Sequence, residues 1–452
     1  MGEHRTYKVD MLTRVEGEGR FFLQVDDQGE VTDARLTIFE APRFFEAFLQ
    51  GRSLFEVPDI VARICGICPV AYQMSGVRAL ESALDFSPNP LVRRLRRLLY
   101  CGEWIESHAL HVFLLHAPDF LGYPSAVAMA ADHKPLIERG LRMKKAGNQL
   151  IEVLGGRAIH PISVRVGGFT KKPDRRALRG LRSALEQALE EAEDTVTWTT
   201  TLPMPDFSPP GGYTFVCLVG DDYPLEWGDQ IAISGRGRIP VTAFSEHFEE
   251  IQVAHSNALQ CRLRDGSSYL CGPMARISLR ADALHPRAKR ALDASGLVIP
   301  VANPYHSITV RAIELVHAFA EALDMIAAVD EATGGTRSLL AQEPAFSEPE
   351  IRAAVGHGAT EAPRGLLYHR YQIDEEGLIQ EATIIPPTSQ NQARIEDDLV
   401  GLAPDLLALE QRPATHLCEQ LIRSYDPCIS CATHFLRLDV ERLPRSGETG
   451  EP

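Results

Sequence analysis

Two pairs of cysteines at opposite ends of the sequence constrain the fold most strongly. The first pair, Cys65 and Cys68, stands in "RICGICPV", and the second, Cys428 and Cys431, stands in "DPCISCATH". Each pair has the C-x-x-C spacing that lets two thiolates face one metal ion. About 360 residues separate the pairs. A site that uses both pairs therefore requires the fold to bring the two ends of the chain together.

The four paired thiols leave three interpretations open. Zinc, an iron–sulfur cluster and a thiophilic centre such as nickel all accept thiolate ligands. Structural zinc sites usually close within roughly a few tens of residues. The wide gap therefore favours a catalytic metal held between distant segments, and a structural metal site or redox dithiols remain as alternatives. The other five cysteines are scattered along the chain, and we expect them to be small buried side chains.

Charge and the N-terminal sequence exclude several classes of protein. The formal net charge of −15 disfavours nucleic acid and anionic membranes, because both require a basic surface. The opening stretch "MGEHRTYKVD" is polar, and no apolar run is long enough for a membrane span. Nine cysteines without a signal peptide are typical of a reducing compartment. We therefore expect a cytoplasmic protein without disulfides.

Apolar periodicity predicts an α+β fold that is mostly α. Apolar residues recur every three to four positions and predict a bundle of long helices over 88–200 and 305–330. Two β-prone stretches around the turn "DDQGE" predict an N-terminal β-hairpin within 1–40, and "LLYHRYQIDEEGLIQEATIIPP" predicts another hairpin that turns at "DEEG". Glycine-rich, β-prone runs predict a β-rich insertion over 212–282.

Several ordered blocks of the sequence resemble the large subunit of nickel–iron hydrogenases. "RICGICPVAY" and "DPCISCATH" resemble the two cysteine signatures of that family, R-x-C-G-x-C and D-P-C-x-x-C-x-x-H. Four further blocks resemble family segments in the same order: "TRVEGEG" (13–19), "GGRAIHPISVRVGG" (155–168), "EAPRGLLYH" (361–369) and "IIPPTSQN" (384–391). The resemblance spans essentially the whole chain. It implies the nickel–iron hydrogenase large-subunit fold.

The resemblance implies a nickel–iron centre at the paired cysteines. Cys65, Cys68, Cys428 and Cys431 would hold nickel. Cys68 and Cys431 would also bind iron as bridging ligands, and Cys65 and Cys428 would be terminal. The iron would carry cyanide and carbon monoxide, which maturation proteins must supply.

The implied activity is the reversible cleavage of hydrogen into protons and electrons. Heterolytic cleavage requires a base close to the metals. By the resemblance, the thiolate of Cys428 takes the proton first, and Glu16 of "RVEGEG" relays it outward. Arg364 of "APRG" would lie over the metals, where a fixed cation can polarise the bound hydrogen.

Four other positions receive expected roles from the resemblance. Pro363 would fix the approach of the backbone beside Arg364. Thr388 would donate a hydrogen bond to a cyanide on the iron, an acceptor that is costly to bury without a partner. Asp119 would pair with the arginine layer, with a role in capping a helix end as the alternative. Tyr72 stands where many family members have a histidine, so the hydrogen bond of that histidine passes to the phenol or is absent.

A second metal site is also implied. Family members hold magnesium or a similar ion with a glutamate, a backbone carbonyl and the C-terminal histidine. Glu46, the carbonyl of Ile384 and His434 match these three ligands. Oxygen ligands with water suit magnesium.

Electrons must leave through another protein chain. The unpaired cysteines lack the spacing of an iron–sulfur site, and the sequence contains no G-x-G-x-x-G dinucleotide fingerprint. We therefore expect iron–sulfur clusters only in a partner, the hydrogenase small subunit. The cysteine blocks are most similar to the cytoplasmic NAD(P)-linked group that includes sulfhydrogenases. That group implies diaphorase subunits, with flavin and NAD(P), as further partners.

The sequence beyond the last histidine has an expected role in maturation. In the family, an endopeptidase cuts after that histidine once nickel-insertion proteins have delivered the metal. Residues 1–434 would then form a single domain, and residues 435–452 would be a tail that is removed. The alternative is a tail that is never cut.

Three other functions compete with a hydrogenase of high turnover. A hydrogen-sensing regulatory hydrogenase has the same ligands but low turnover. A relative without the metals, such as the related subunit of respiratory complex I, lacks the cysteine pairs that are present here. A scaffold stabilised by zinc has no chemistry, and metal analysis distinguishes it from the enzyme.

Overall fold

Long helices form the centre of the structure, a computed structural model that describes residues 5–26, 28–41, 44–331 and 337–433. Small β-sheets surround these helices. The predicted fold class, α+β and mostly α, is confirmed. In the described part of the chain, no helix has both the length and the apolar character that a membrane crossing requires.

The helices vary from single turns to more than six turns. The α-helices of the described residues have these bounds: α1 Phe45–Leu49, α2 Val57–Val61, α3 Pro69–Ala83, α4 Pro90–Leu110, α5 Ala117–Leu121, α6 Ala126–Met129, α7 Lys134–Gly155, α8 Arg175–Gly180, α9 Arg182–Thr199, α10 Phe244–His247, α11 Pro273–Arg280, α12 Pro286–Ser295, α13 Ser307–Asp330, α14 Leu339–Gln342, α15 Pro387–Leu406, α16 Gln411–Ser424 and α17 Ile429–Ala432. A π-helix over His111–His116 joins α4 to α5. Three 3-10 turns lie at Val241–Ala243, Ala281–Ala283 and Pro304–His306.

The strands of the described part of the chain form five small sheets. Their bounds are β1 Arg5–Val9, β2 Gly19–Val25, β3 Val31–Ile38, β4 Val164–Arg165, β5 Gly168–Phe169, β6 Phe215–Val219, β7 Gln230–Ile233, β8 Gly237–Pro240, β9 Phe248–Gln252, β10 Leu259–Leu263, β11 Leu270–Cys271, β12 Ala354–Ala362, β13 Gly365–Ile373 and β14 Ile379–Ile385. The sheet orders are β1-β2-β3, β4-β5, β10-β9, β11-β6-β7-β8 and β12-β13-β14. Neighbouring strands are antiparallel except β11 and β6, which are parallel.

The central helices pack along their apolar faces. Helix α4 lies between α7 and α13, and α9 packs against α13. The periodic residues Leu91, Leu95 and Leu98 are all fully buried in this contact region. The spacing of the apolar residues therefore predicts these helices well, because one face of each must leave water.

Helix α3 lies directly on strand β12. A Cβ atom at Gly356 would lie 2.0 Å from the carbonyl oxygen of Ala79, and one at Gly358 would lie 2.4 Å from the Ala79 nitrogen. Only glycine permits so close an approach of the two backbones. The sheet β12-β13-β14 therefore supports the helix that begins immediately after Cys68.

The predicted β-hairpins occur where the turn sequences stand. Strands β2 and β3 pair across the turn in "DDQGE", and β13 pairs with β14 across "DEEG". Strands β6 to β11 lie within the expected β-rich insertion. The limits of the domain and of this insertion stay predictions.

Candidate metal centre

The fold brings the two cysteine pairs together in the interior. Cys65 and Cys68 lie in the turn that precedes α3, and Cys428 and Cys431 lie at the start of α17. All four side chains are buried. Their sulfur atoms lie within 4.8 Å of one another. This is the arrangement that a single site built from both ends of the chain requires.

Short sulfur contacts link the four thiols. The Sγ atoms lie 2.8 Å apart within each pair, and Cys65 Sγ lies 3.5 Å from Cys428 Sγ. The backbone N–H groups of Ile67 and Cys68 donate to Cys65 Sγ at 3.4 and 3.2 Å. Donated hydrogen bonds favour the thiolate over the thiol. The sulfur of Cys65 is therefore prepared to carry negative charge.

The pKa values of the thiols are shifted in different directions. Burial opposes ionisation of Cys65, yet hydrogen bonds from the other three cysteines and the charge of Arg364 lower the pKa of its thiol. Hydrogen bonding to Cys431 and to Cys65 raises the pKa of Cys428. Cys65 is therefore the thiol of the four that ionises most readily, because the pKa values of Cys68, Cys428 and Cys431 are raised. A soft cation that binds here displaces the remaining protons.

The C-terminal cysteine loop is held by residues from two other segments. The Cys428 N–H donates to Thr388 Oγ1 at 2.9 Å. The Ile429 N–H donates to the carbonyl oxygen of Glu16 at 2.8 Å, and the Ser430 N–H donates to Glu16 Oε2 at 3.1 Å. Glu16 and Cys428 also form an isolated parallel β-bridge. The N-terminal segment thus positions the second cysteine pair.

Glu16 lies beside one of the four thiols. Its Oε2 atom is 3.1 Å from Cys428 Sγ, and the residue is partly exposed to solvent. A carboxylate at hydrogen-bond distance from a thiol can accept its proton. The structure therefore brings together the two residues to which the resemblance assigns proton transfer.

Arg364 is buried next to the thiols and is held by three polar contacts. Its Nε donates to the Asp426 carbonyl at 2.9 Å, and its terminal nitrogens donate to Asp426 Oδ1 and Ser107 Oγ, both at 3.3 Å. Burial opposes its charge, yet Asp426 and the cysteines raise the pKa of the guanidinium. The residue is therefore a fixed cation. Asp426 has a positive φ of 54°, a strained conformation that these contacts support.

A second buried arginine supports the segment that carries Arg364. Arg276 donates to the carbonyl oxygens of Ala362 and Pro363 at 3.0 and 3.1 Å. It also pairs with Glu314 at 2.7 Å and with Glu361 at 3.0 Å, and all three side chains are fully buried. These contacts of Arg276 were not predicted from the sequence. No spacing pattern indicates them, although Glu361 stands in the "EAPRG" block.

Asp119, which was expected to pair with the arginine layer, contacts two arginines other than Arg364. Asp119 lies in α5, where its carboxylate pairs with Arg14 and, at 2.8 Å, with Arg423. The acidic partner of Arg364 is Asp426 instead. Asp119 meets these arginines because the π-helix before α5 places it where the N-terminal segment contacts α16. Sequence analysis missed Ser107 and Asp426, and the "DPC" signature was the only available signal for Asp426.

Two of the three residues expected to bind magnesium, Glu46 and Ile384, line a small cavity. The Ile384 N–H donates to Glu46 Oε1 at 2.6 Å. A cavity of about 20 Å³ beside them is lined by Phe45, Glu46, Ile64, Ile384, Ser430, Cys431 and Thr433. This volume accommodates one water-sized species. His434, the third expected ligand, lies outside the described residues.

Tyr72 lies deep in the structure near the thiols. Its side chain is 1% exposed, and its hydroxyl has no hydrogen-bond partner within the described residues. Its ring centre lies 5.8 Å from that of His369. Burial, followed by the negative charge of the cysteines, raises the pKa of the phenol well above its ordinary value. Tyr72 is therefore a neutral phenol.

Comparisons with known proteins agree with this site. A family model described as nickel-dependent hydrogenase matches residues 43–139 and 261–434, and a HoxL-like model matches residues 6–41. Sulfhydrogenase 1 subunit alpha of Pyrococcus furiosus is 34% identical over 95% of this chain and 98% of its own length. The subunit beta of the NAD-reducing hydrogenase HoxS of Cupriavidus necator is 27% identical, over 96% of this chain and 95% of its own length.

A solved structure shares the whole fold. The crystal structure of an NAD+-reducing NiFe-hydrogenase in the H2-reduced state superposes with a TM-score of 0.84. The identity is 27%, and the match covers 96% of this chain and 100% of the solved chain.

Proposed function

Because this chain belongs to the nickel-dependent hydrogenase family and is a catalytic large subunit, we propose that its four buried thiols hold a nickel–iron centre. The observation that carries the proposal is the set of four sulfur atoms within 4.8 Å of one another. The chain is an oxidoreductase subunit. Its reaction is the reversible cleavage of H2 to protons and electrons.

The donor set fits such a centre. Four thiolates suit nickel, and two of them can be shared with a second metal. Cys68 and Cys431 would be shared with iron, and Cys65 and Cys428 would bind nickel alone. When bound, the centre supplies redox-active metals that take up the electron pair of hydrogen. Cyanide and carbon monoxide on the iron come from maturation proteins.

The chain itself moves the proton. Complete cleavage of H2 releases two protons and two electrons; the electrons would pass to the metals, and the sulfur of Cys428 would accept the protons in turn. Glu16 Oε2, at 3.1 Å, takes the proton from that sulfur. Glu16 is partly exposed, so it can pass the proton toward solvent. Reversal of these transfers delivers protons for hydrogen evolution.

Arg364, Pro363 and Thr388 would orient and polarise the groups bound at the centre. Arg364 provides a fixed cation near the reacting hydrogen, and the carbonyl of Pro363, held by Arg276, fixes its backbone. The oxygen of Thr388 accepts the Cys428 N–H, so its hydroxyl proton stays available to donate to a cyanide.

Asp119 serves the site through two arginines. Arg14 stands two residues before Glu16, and Arg423 stands in the helix that leads to Cys428. By pairing with both, Asp119 ties the segment of the proton acceptor to the segment of the thiol. Asp119 is therefore a positioning residue.

A magnesium site would stabilise the C-terminal end. Glu46 and the carbonyl of Ile384 would supply oxygen ligands beside the small cavity, and water would complete the shell. His434 would be the third protein ligand. Removal of residues 435–452 by the maturation endopeptidase would leave His434 as the C-terminal residue.

The electrons leave to partner subunits. Relatives named as subunits of a sulfhydrogenase and of an NAD-reducing hydrogenase support a multisubunit complex. We infer an iron–sulfur small subunit and diaphorase subunits that reduce NAD(P) in the cytoplasm.

The experiment is hydrogen-dependent reduction by the purified complex. Viologen dye reports cleavage of hydrogen, and NAD+ and NADP+ report the diaphorase link. We expect reduction of the dye and of at least one nucleotide, and none by a complex that carries Cys65→Ser. A nickel-loaded complex that reduces no acceptor under hydrogen would contradict the proposal.

A further inference from the structure

We propose that Glu103 is a positioning residue for the first cysteine pair, because it caps helix α3 from the neighbouring helix α4. The inference rests on the proposed function in one respect: it takes Cys65 and Cys68 as metal ligands. The contact itself is independent of any metal.

Helix α3 lacks a cap of its own. It begins at Pro69, and Cys68 is its N-cap residue. The first N–H groups of a helix have no partner within the helix and usually bond to the N-cap side chain. Cys68 makes no such hydrogen bond, and a thiolate committed to a metal is poorly placed to make one. These N–H groups therefore need an acceptor from elsewhere.

Glu103 supplies that acceptor with both carboxylate oxygens. Its Oε2 accepts the Val70 N–H at 2.5 Å, and its Oε1 accepts the Ala71 N–H at 3.0 Å. Glu103 is completely buried. Burial raises the pKa of the Glu103 carboxyl, and the N–H groups of Val70 and Ala71 oppose that shift by donating to its oxygens. The geometry therefore assigns Glu103 to the start of α3.

Helix α4 links this cap to the opposite side of the site. Trp104, next to Glu103, donates from Nε1 to the Glu361 carbonyl at 2.9 Å. Ser107, one helical turn later, contacts Arg364 at 3.3 Å. Residues four apart lie on one face of a helix. A single rigid element thus sets the distance between the first cysteine pair and Arg364.

The thiol positions depend on the turn that Glu103 fixes. Cys65 Sγ accepts N–H groups from Ile67 and Cys68, the two residues immediately before the capped helix. If the first turn of α3 frays, these donors move and the two sulfur atoms lose their fixed separation of 2.8 Å. Weaker retention of the metal follows.

The first arm of the test uses the metal-free full chain. Hydrogen–deuterium exchange of residues 69–73 is measured in wild type and in Glu103→Gln, whose amide can accept only one of the two N–H groups in the same orientation. We expect at least tenfold faster exchange there. The matched control is Glu396→Gln, because Glu396 is also buried and accepts a backbone N–H, from Leu36 at 2.9 Å. Unchanged exchange in Glu103→Gln overturns the proposal.

The second arm uses the nickel-loaded complex. Loss of nickel to a chelator is followed in wild type, Glu103→Gln and Glu396→Gln. We expect at least tenfold faster loss in Glu103→Gln alone, and a rate within twofold of wild type overturns the proposal. If Glu103→Gln yields no folded complex, Glu103→Asp decides, since its shorter side chain cannot reach both N–H groups. Faster loss in Glu103→Asp supports the role, and the wild-type rate overturns it.

The two failures are distinguishable. A wild-type complex that contains no nickel contradicts the proposed function, whereas normal nickel retention in the Glu103 variants contradicts only the positioning role.

Discussion

Glu16 Oε2 and Cys428 Sγ lie 3.1 Å apart, although 412 residues separate them in the sequence. The same carboxylate accepts the Ser430 N–H, and the Glu16 carbonyl accepts the Ile429 N–H. The N-terminal segment therefore both positions the C-terminal thiols and offers a proton acceptor to one of them.

Glu16→Gln should separate proton transfer from metal binding. The amide keeps an oxygen for the Ser430 N–H but cannot take a proton, so nickel content should remain at the wild-type level. Hydrogen–deuterium gas exchange should slow by about 100-fold or more, as expected for the loss of a general base. Glu18→Gln is the control, because Glu18 is exposed and only two residues away. Equal exchange rates in wild type and Glu16→Gln would refute the relay.

Arg364→Lys should lower turnover while the complex stays assembled. Lysine keeps the charge but cannot span Asp426 and Ser107 at once, as the planar guanidinium does. Hydrogen oxidation should fall by about 100-fold, the order found for loss of one oriented donor. Arg370→Lys should have little effect, because Arg370 is partly exposed and lies in strand β13, which begins directly after Arg364. An Arg364→Lys complex with wild-type turnover would rule out an oriented donor at this position.

Asp119→Asn should destabilise the chain even without metal. The Asp119 side chain is fully buried, and its loss of charge leaves Arg14 and Arg423 without their shared carboxylate. Breaking a buried ion pair costs about 3 kcal/mol or more. Urea unfolding of the metal-free chain measures this change, with Asp132→Asn on the surface as the control. A loss below about 1 kcal/mol would show that the arginines need no shared charge.

The free energy of unfolding should decrease as the pH is lowered, because His369 is buried. Burial lowers the pKa of His369 to about 3, and within the described residues the only hydrogen-bond partner of its ring is the Tyr371 hydroxyl at 2.7 Å. The unfolded chain binds this proton below about pH 6.5, and the folded chain does not. The contribution of His369 to the free energy of unfolding is therefore complete above pH 6.5. It decreases by up to about 1.4 kcal/mol per pH unit as the pH falls toward 3.

His369→Gln checks this contribution. Urea unfolding at pH 7.5 and at pH 5.5 should show a smaller loss of stability in the variant than in wild type. Parallel losses in the two proteins would mean that His369 does not govern the acid response.

The sequence predicts the helices and hairpins well because each depends on local patterns. The period of three to four in α4 places Leu91, Leu95 and Leu98 in the core, where they are buried. The turn residues of "DDQGE" and "DEEG" mark the two hairpins. The spacing of the cysteines requires that distant segments meet, and the four sulfur atoms do so.

The polar partners around the centre depend on tertiary packing and leave no such pattern. Ser107 reaches Arg364 across 257 residues, and no periodicity connects them. The sequence assigns Asp119 to no particular arginine, because several buried arginines stand near the site and the path of the π-helix decides which of them it meets. The catalytic and magnesium roles of individual residues stay predictions.

Metal analysis of the purified complex, together with its infrared spectrum, tests the central claim most directly. We predict one nickel and one iron per chain and absorption bands from cyanide and carbon monoxide, all lost in Cys65→Ser but kept in Cys418→Ser, a buried cysteine outside the cluster. Zinc as the only metal, without cyanide or carbon monoxide bands, would contradict the account.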